Sequence, residues 1–269
     1  MSSLGLSEKG QDLIDLYKRM ATNGYDRKDG SRVEKAYNDF ELKKFRNLVR
    51  PVFNEFRVAS VLDYGSGGSD WDKEGFDQKS NKSATEFFNL ETVARYEPAR
   101  GFNQKVIQDC VVCMDVLEHI SVGDIPIVLG DIFRHAKKLV VLNIACYKAA
   151  ALLENGENAH ISVRRPLWWK GVLDTISLEF PAVSIMLICS KTYNSCEVYN
   201  FYKANDWWED KKYAIDLSES NSYGKSIKNP PDGTHINLSQ DQLFLLISAL
   251  IKSKPEVKKQ FMDLISSEQ

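Results

Sequence analysis

An acidic residue comes directly before a glycine-rich turn. Asp63 ends a short apolar run, and Gly65 and Gly67 follow it. Glycines allow a sharp turn and let a ligand come close to the backbone. A dinucleotide fingerprint would need a third glycine where Asp70 stands, and the carboxylate of Asp63 would repel a pyrophosphate. The pattern favours a ligand that carries positive charge, while the glycines alone are also compatible with an ordinary turn.

Two more acidic residues follow apolar runs. Glu97 comes after the run at residues 91–96, a position where an acid accepts hydrogen bonds from ribose hydroxyls in nucleotide-binding sheets. Asp115 comes after the run at residues 109–114. Because parallel strands end at the same edge of a sheet, we expect both acids to lie near Asp63. The alternative for Glu97 is a solvated loop carboxylate.

Two of the four histidines are candidates for a general base. His119 follows an acid in the segment after Asp115, and His160 lies in a polar loop after the apolar run at residues 138–144. Histidine exchanges a proton near neutral pH, which suits deprotonation of a hydroxyl or an ammonium group. Each ring is also compatible with a structural role, such as a stabilising hydrogen bond from His119 at the start of a helix.

Basic and aromatic residues follow His160 in the chain. Trp168 and Trp169 are candidates for the wall of a pocket that binds the acceptor substrate of a transfer reaction. Adjacent helical residues point in different directions, however, so at most one of them should face a ligand. Arg164 is a candidate for binding an anionic acceptor. In the alternative, the tryptophans pack a helix onto the sheet and the arginine lies at the surface.

The five cysteines are scattered and odd in number, which does not suggest a disulfide framework. Cys110 and Cys113 have the spacing of a metal or redox pair. They lie in an apolar run of strand length, however, so their side chains should point to opposite faces of a sheet. From the sequence we expect core cysteines and no metal site.

The elements around these residues alternate between strand-like and helical patterns. Six apolar runs are predicted to be strands, at residues 59–64, 91–96, 109–114, 138–144, 183–189 and 196–202. Helices are predicted between them at residues 125–136 and 167–180. This order predicts an α/β fold, Rossmann-like and doubly wound, with a mostly parallel sheet and an antiparallel closing strand.

Two helical patterns precede the first strand. The first covers residues 7–20 with Ser7 as its N-cap, and the second covers residues 33–56, where Pro51 should kink or split it. These helices are placed to pack over the edge of the sheet as a lid.

Two further helical patterns occur near the C-terminus, at residues 243–251 and 255–265. We divide the chain into the N-terminal helices at 1–57, the Rossmann-like domain at 58–203, and a polar linker with a C-terminal helical appendage at 204–269.

The composition limits the classes of partner. The chain of 269 residues carries a formal charge of -2, so it gives no clear signal for nucleic acid. It shows no signal peptide and no apolar run of membrane-spanning length. We expect a cytoplasmic protein without a membrane partner, with an oligomer or protein contact possible through the appendage.

Taken together, three segments resemble the class I S-adenosylmethionine-dependent methyltransferases. They are residues 61–67, 96–98 and 112–120. Within that family the chain is similar to a bacterial and phage-associated subgroup, through residues 142–146, 155–160 and 168–169. The resemblance covers roughly residues 40–200 and rests on the strand–turn and the Leu-Glu-His segment together.

The resemblance implies S-adenosylmethionine as the cofactor and assigns its contacts by position. The implied contacts are Asp63 for the amino group, Gly65, Ser66 and Gly67 for the methionine and ribose portions, Glu97 for the ribose hydroxyls, and Asp115, Val116 and Leu117 for the methionine end. Residues 98–109 leave little room for the strand and helix that often contact the adenine, so no adenine contact is assigned.

Three functions remain open from the sequence. The first is methyl transfer to a small-molecule or saccharide acceptor, where the saccharide rests on family context alone. The second is a non-catalytic binding or assembly protein that keeps the same fold. The third is a nucleotide- or NAD-dependent enzyme, which Asp63 and Asp70 disfavour.

Overall fold

The fold is built around one twisted β-sheet. The computed structural model describes residues 4–27, 29–34, 40–201 and 211–216, with the side chains of Phe201 and of the last segment left out. The described strands are β1 (Tyr25–Asp26), β2 (Arg32–Val33), β3 (Ser60–Tyr64), β4 (Thr92–Glu97), β5 (Phe102–Asn103), β6 (Gln108–Met114), β7 (Ala136–Ala145), β8 (Ser184–Thr192), β9 (Ser195–Phe201) and β10 (Lys211–Asp216). The described helices are α1 (Glu8–Asn23), α2 (Leu42–Glu55), α3 (Ala84–Phe88), a 3₁₀ helix (Leu117–His119), α4 (Ile125–Arg134) and α5 (Pro166–Ser177).

The strand order places a crevice in the middle of the sheet. In the described part of the chain, the main sheet runs β10-β9-β8-β7-β6-β3-β4-β5. The inner strands β4, β3, β6, β7 and β8 are parallel, while β5, β9 and β10 are antiparallel to their neighbours. The parallel strands therefore have the order 2-1-3-4-5 of one doubly wound topology, whose direction of winding reverses between β3 and β6. The α/β class and the mostly parallel sheet are confirmed, and both are compatible with a Rossmann-like fold.

Helices cover both faces of the sheet because apolar residues alternate along the strands. In β6, Val111 and Cys113 pack with α4 and α5, whereas Cys110 and Val112 pack with α2 and α3. Side chains of successive strand residues point to opposite faces, which is why a strand buried on both sides reads as a continuous apolar run. The prediction that Cys110 and Cys113 lie on opposite faces is confirmed.

All six predicted strands are present as β3, β4, β6, β7, β8 and β9, with small shifts at their ends. Two further strands of the main sheet were not predicted. The two-residue β5 occupies the short stretch after β4, and β10 lies in the segment that the sequence analysis treated as a polar linker. Both lie at the two ends of the described strand order, where the apolar pattern of a strand is weak.

The first predicted helix is confirmed, and the second is shorter than predicted. Ser7 caps α1 through a hydrogen bond from the Gly10 amide to its side chain. The helix predicted at 33–56 begins only at Leu42, because Arg32–Val33 pairs with β1 in a small antiparallel sheet. Pro51 lies inside α2, which continues through it as one helix.

Helix α1 packs on the loop that follows β7 rather than on the sheet itself. Its buried residues Leu13, Leu16 and Met20 contact Leu153 and Ala159. The Tyr17 hydroxyl donates a hydrogen bond of 2.7 Å to the Ala159 carbonyl. This packing brings the helix across the edge where the parallel strands end.

None of the described helices combines the length and apolar character needed to cross a bilayer. The predicted helices at 243–251 and 255–265 lie outside the described residues, as does most of the predicted linker.

Candidate functional site

A cavity of about 590 Å³ opens at the carboxyl ends of β3, β4 and β6. It therefore lies at the point where the winding of the sheet reverses, which is where open α/β sheets bind ligands. Its opposite wall includes Leu13, Ile14 and Tyr17 of α1. The predicted site residues that reach its wall are Asp63, Gly65, Ser66, Gly67, Glu97, Asp115, Val116, His119 and His160.

The turn after β3 forms the floor of the cavity. Gly65 and Gly67 have φ angles of 78° and 52°, in the left-handed region that favours glycine. The amides of Gly65 and Ser66 donate to the Tyr96 carbonyl, which ties the turn to β4. A Cβ atom on Gly65 would lie 2.4 Å from Cγ2 of Val116, so the turn also needs a glycine for close packing.

Asp63 is buried at the base of this turn. Its Oδ2 accepts hydrogen bonds of 2.6 Å from the Ser69 hydroxyl and 2.8 Å from the Trp71 indole. Burial raises the pKa of the Asp63 carboxyl to about 6, while the two hydrogen bonds oppose that rise. A cation in the cavity would stabilise the ionised form.

Glu97 is held against the same turn. Its Oε2 accepts from the Gly67 amide at 2.9 Å, and its Oε1 accepts from the Ala99 amide at 3.0 Å. Each carboxylate oxygen has a further lone pair, so both can still accept from a ligand hydroxyl. The hydrogen bonds from the two backbone amides fix the orientation of the Glu97 carboxylate toward such a ligand.

Asp115 and Glu118 form an acidic pair after β6, in which Glu118 is buried and Asp115 is half-buried. Asp115 has a left-handed backbone with φ of 60°, and its amide donates to the Asn143 carbonyl. Burial opposes ionisation of Asp115, but His119 and a hydrogen bond with Glu118 hold the pKa of the Asp115 carboxyl below its usual value. Burial, and then the charge of Asp115, raises the pKa of Glu118 well above its usual value. The two shifts have opposite directions, so Asp115 is the more readily ionised carboxyl of the pair.

His119 and His160 meet at the cavity wall with ring centroids 4.8 Å apart. His119 Nδ1 lies 2.9 Å from the Ala159 carbonyl, and His160 Nδ1 lies 2.6 Å from the Tyr147 carbonyl. A carbonyl oxygen only accepts, so both Nδ1 atoms carry the proton and both Nε2 atoms carry a lone pair in the neutral rings. Burial, and then the like charge of His160, lowers the pKa of His119 to about 4.

The structure does not bring four of the sequence-predicted residues to the cavity wall. Leu117 is buried in the core beneath the 3₁₀ helix. Trp169 is fully buried in α5 against the sheet, Trp168 packs edge-on against it, and the Arg164 guanidinium lies over the Trp168 ring. The tryptophans therefore make the packing contacts that the sequence analysis offered as their alternative role.

Several residues of the cavity wall were not predicted from the sequence. Tyr17 of α1 and Tyr147 of the loop after β7 line the cavity and contact the two histidines. The residue types alone carry no signal for this, because Tyr17 lies 102 residues before His119 in the chain. Ser69 also lines the cavity, and its hydroxyl and the Trp71 indole donate to Asp63; neither residue was predicted to belong to the site.

The chain matches no protein-family model, no curated protein and no solved structure.

Proposed function

We propose that this chain is an S-adenosylmethionine-dependent methyltransferase that acts on a small-molecule or saccharide acceptor. The observation that carries the proposal is the joint position of Asp63, the glycine turn and Glu97 in one cavity wall. That wall lies at the strand ends where this topology binds ligands. The resemblance of the same segments to class I methyltransferases adds the identity of the cofactor.

The cavity has the size and chemistry that the cofactor requires. A volume of about 590 Å³ is within the range of pockets that hold small organic ligands. Asp63 offers a carboxylate to the ammonium group, and Glu97 offers two oriented oxygens to the ribose hydroxyls. The buried hydroxyl of Ser66 lines this wall, and none of the described residues provides it with a hydrogen-bond partner, which a polar ligand group would supply.

Methyl transfer depends mainly on how the acceptor atom is positioned, because the leaving group is neutral. The acceptor atom attacks the methyl carbon in line, the carbon–sulfur bond breaks, and a neutral thioether leaves. A hydroxyl or ammonium acceptor must also lose its proton. The Nε2 lone pair of His119 or of His160 is the candidate to take that proton; the lowered pKa of His119, about 4, keeps its ring neutral at pH 7 but also makes it a weak base.

Calorimetry on the full chain tests the cofactor assignment. We expect S-adenosylmethionine and S-adenosylhomocysteine to bind with one-to-one stoichiometry, and NAD not to bind. Replacing Asp63→Asn or Glu97→Gln should weaken the affinity about 10- to 100-fold, because each removes a charge-assisted contact. The control is Glu91→Gln, an exposed carboxylate just before β4, which should bind as the wild type does.

Two results would overturn the cofactor assignment: no binding of either compound, or binding that neither site variant changes. Catalysis is a separate question, because a non-catalytic protein of this fold would bind both compounds. Release of S-adenosylhomocysteine in the presence of hydroxyl- and amine-bearing acceptors, including saccharides, would support the enzyme. Binding without turnover on any of them would support the binding protein.

A further inference from the structure

We propose that Asp115, His119 and His160 form a binding site for one divalent first-row transition-metal ion in the wall of the cavity. One ligand atom from each of the three side chains lies within 4.8 Å of the other two. Two imidazoles and a carboxylate are a common ligand set for Zn²⁺ and Fe²⁺, and two nitrogen ligands disfavour Mg²⁺ and Ca²⁺.

Three different segments carry these ligands. Asp115 follows β6, His119 ends the 3₁₀ helix, and His160 lies in the loop after β7. The Asp115 amide is hydrogen-bonded to the Asn143 carbonyl of β7, which fixes the backbone at the start of the cluster. The site is therefore held by the sheet and is not confined to one flexible loop.

The hydrogen bonds of the two rings are those that metal-ligating histidines make. In such sites the nitrogen that does not bind the metal donates to a carbonyl, a carboxylate or water, which sets the tautomer and orients the ring. His119 Nδ1 donates to the Ala159 carbonyl, and His160 Nδ1 donates to the Tyr147 carbonyl. In this tautomer Nε2 is the ring nitrogen that keeps a lone pair, so Nε2 is the atom through which each histidine would bind an ion.

The distances allow an ion after small movements. A tetrahedral zinc ion with bonds of about 2.0–2.1 Å needs ligand atoms about 3.4 Å apart. Ligand atoms within 4.8 Å reach that separation when the side chains move by roughly 1 Å. The two rings already meet nearly edge to face, with an interplanar angle of 84°, which keeps them from stacking face to face.

Three protein ligands leave at least one coordination position of the ion for another group. All three ligand residues line the cavity, so an oxygen of a cavity-bound molecule can occupy that position. Under the proposed function, this oxygen would be the acceptor hydroxyl, whose pKa the ion would lower; this would replace base catalysis by His119 or His160, because the ion would occupy their Nε2 lone pairs. This last step rests on the proposed function, whereas metal binding itself does not.

The test is a titration of the full chain, freed of metal by a chelator, with Co²⁺ as the spectroscopic probe and Zn²⁺ as competitor. We expect one Co²⁺ per chain with a visible ligand-field band that Zn²⁺ abolishes. His119→Gln, His160→Gln and Asp115→Asn should each weaken binding more than about 100-fold, beyond the loss typical of a residue that only supports a ligand. Asparagine suits the left-handed backbone at position 115.

His135→Gln is the matched control, because this histidine caps the end of α4 and is not part of the cavity wall. It should bind Co²⁺ as the wild type does. Nitrogen spectra of wild-type chain labelled in histidine provide a readout that needs no variant. Zn²⁺ should shift the Nε2 signals of two of the four histidines and leave their Nδ1 protons in place.

The proposal fails if the wild type binds neither ion at micromolar concentrations, or if the three ligand variants bind as tightly as His135→Gln. It also fails if Zn²⁺ shifts none of the histidine Nε2 signals. None of these readouts involves S-adenosylmethionine, so failure of the metal site and failure of the methyltransferase assignment are distinguishable.

Discussion

Asp63 is a buried acid whose two hydrogen bonds do not fully offset the loss of water. The Ser69 hydroxyl and the Trp71 indole both donate to one carboxyl oxygen, yet burial raises the pKa of Asp63 to about 6. A buried ionised carboxylate lowers the stability of the ligand-free fold and raises the affinity for a cation. The same residue should therefore affect stability and affinity in opposite directions.

We predict that Asp63→Asn changes the pH dependence of stability. The pKa of Asp63 in the folded chain, about 6, lies above its ordinary value of 3.8. The stability contributed by the neutral carboxyl is thus fully present below about pH 4 and is lost as the pH rises through about 6. The free energy of unfolding of the variant, relative to wild type, should rise by up to about 3 kcal/mol between pH 4 and pH 8. Urea denaturation at a series of pH values measures it.

Asp109 provides a control of opposite sign. Burial opposes its ionisation, but the Ala59 amide and Lys138 hold the pKa of the Asp109 carboxyl below its usual value. Its stabilising contribution is present above pH 3.8 and is lost as the pH falls through the lower folded value. Asp109→Asn should therefore lose stability relative to wild type as the pH rises toward about 4, and should show no further change between pH 4 and pH 8. If the free energy of unfolding of both variants, relative to wild type, changed with pH in the same way, the assigned environment of Asp63 would be contradicted.

We predict that Gly65→Ala destabilises the fold by about 2–5 kcal/mol. The new Cβ would lie 2.4 Å from Val116, and φ is 78°. Overpacking costs about 1–3 kcal/mol, and a left-handed backbone at a non-glycine residue adds about 1–2 kcal/mol. The measurement is the free energy of unfolding in denaturant.

A second glycine separates the two costs. Gly101 has φ of 77°, and nothing lies within 4 Å of the position of its Cβ, so Gly101→Ala should cost only about 1–2 kcal/mol. Adding Val116→Ala should recover part of the loss in Gly65→Ala but none of the loss in Gly101→Ala. Equal costs at the two glycines would show that the contact with Val116 does not matter.

At the scale of elements, α1 is joined to the start of α4. The amide and the hydroxyl of Ser7 both donate to the Asp124 carboxylate, at 2.8 and 2.7 Å. A Cβ on Gly10 would lie 2.3 Å from Asp124 Oδ2, so the helix backbone passes directly over that carboxylate. These contacts, with Tyr17, hold the helix that forms one wall of the cavity.

We predict that Asp124→Ala loosens α1. The change leaves the amide of Ser7 without its acceptor, at a local cost of about 1–3 kcal/mol. Amide hydrogen exchange between Leu13 and Met20 should become at least about tenfold faster, with the strands little changed. Asp12→Ala, at an exposed position of the same helix, is the control. Equal acceleration throughout the sheet would mean that Asp124 supports the whole fold instead.

At the scale of the whole molecule, the described residues that form the cavity all fall in the first of the two units of the chain, Met1–Ser222. The described residues that line the cavity lie between Leu4 and Tyr193. We predict that a chain ending at Ser222 folds and keeps the affinity of the full chain for S-adenosylhomocysteine. At one hundred times the dissociation constant, the ligand should stabilise both chains by about 2.7 kcal/mol, which thermal unfolding measures. A truncated chain that folds but shows no such stabilisation would place part of the site beyond Ser222.

The strands and the turn could be predicted because their signals are local. Val111 and Val112 are adjacent apolar residues of a strand covered on both faces, and Ser7 caps the helix that begins at the next residue. Glycine at positions 65 and 67 marks a turn that only a left-handed backbone can make. Each of these features depends on near neighbours in the chain, so the order of residue types was enough to determine it.

The neighbours of the site residues were decided only by the tertiary structure. His119 meets Tyr17 and His160 because α1 and the loop after β7 fold over the same strand ends. Trp169 faces the core because α5 turns its apolar side to the sheet. Such contacts join segments that lie far apart in the chain, and they depend on strand order, crossover direction and side-chain packing. The local pattern of residue types carries no information on these three features. The amino-acid sequence therefore identified the candidate side chains but not the cluster that they form.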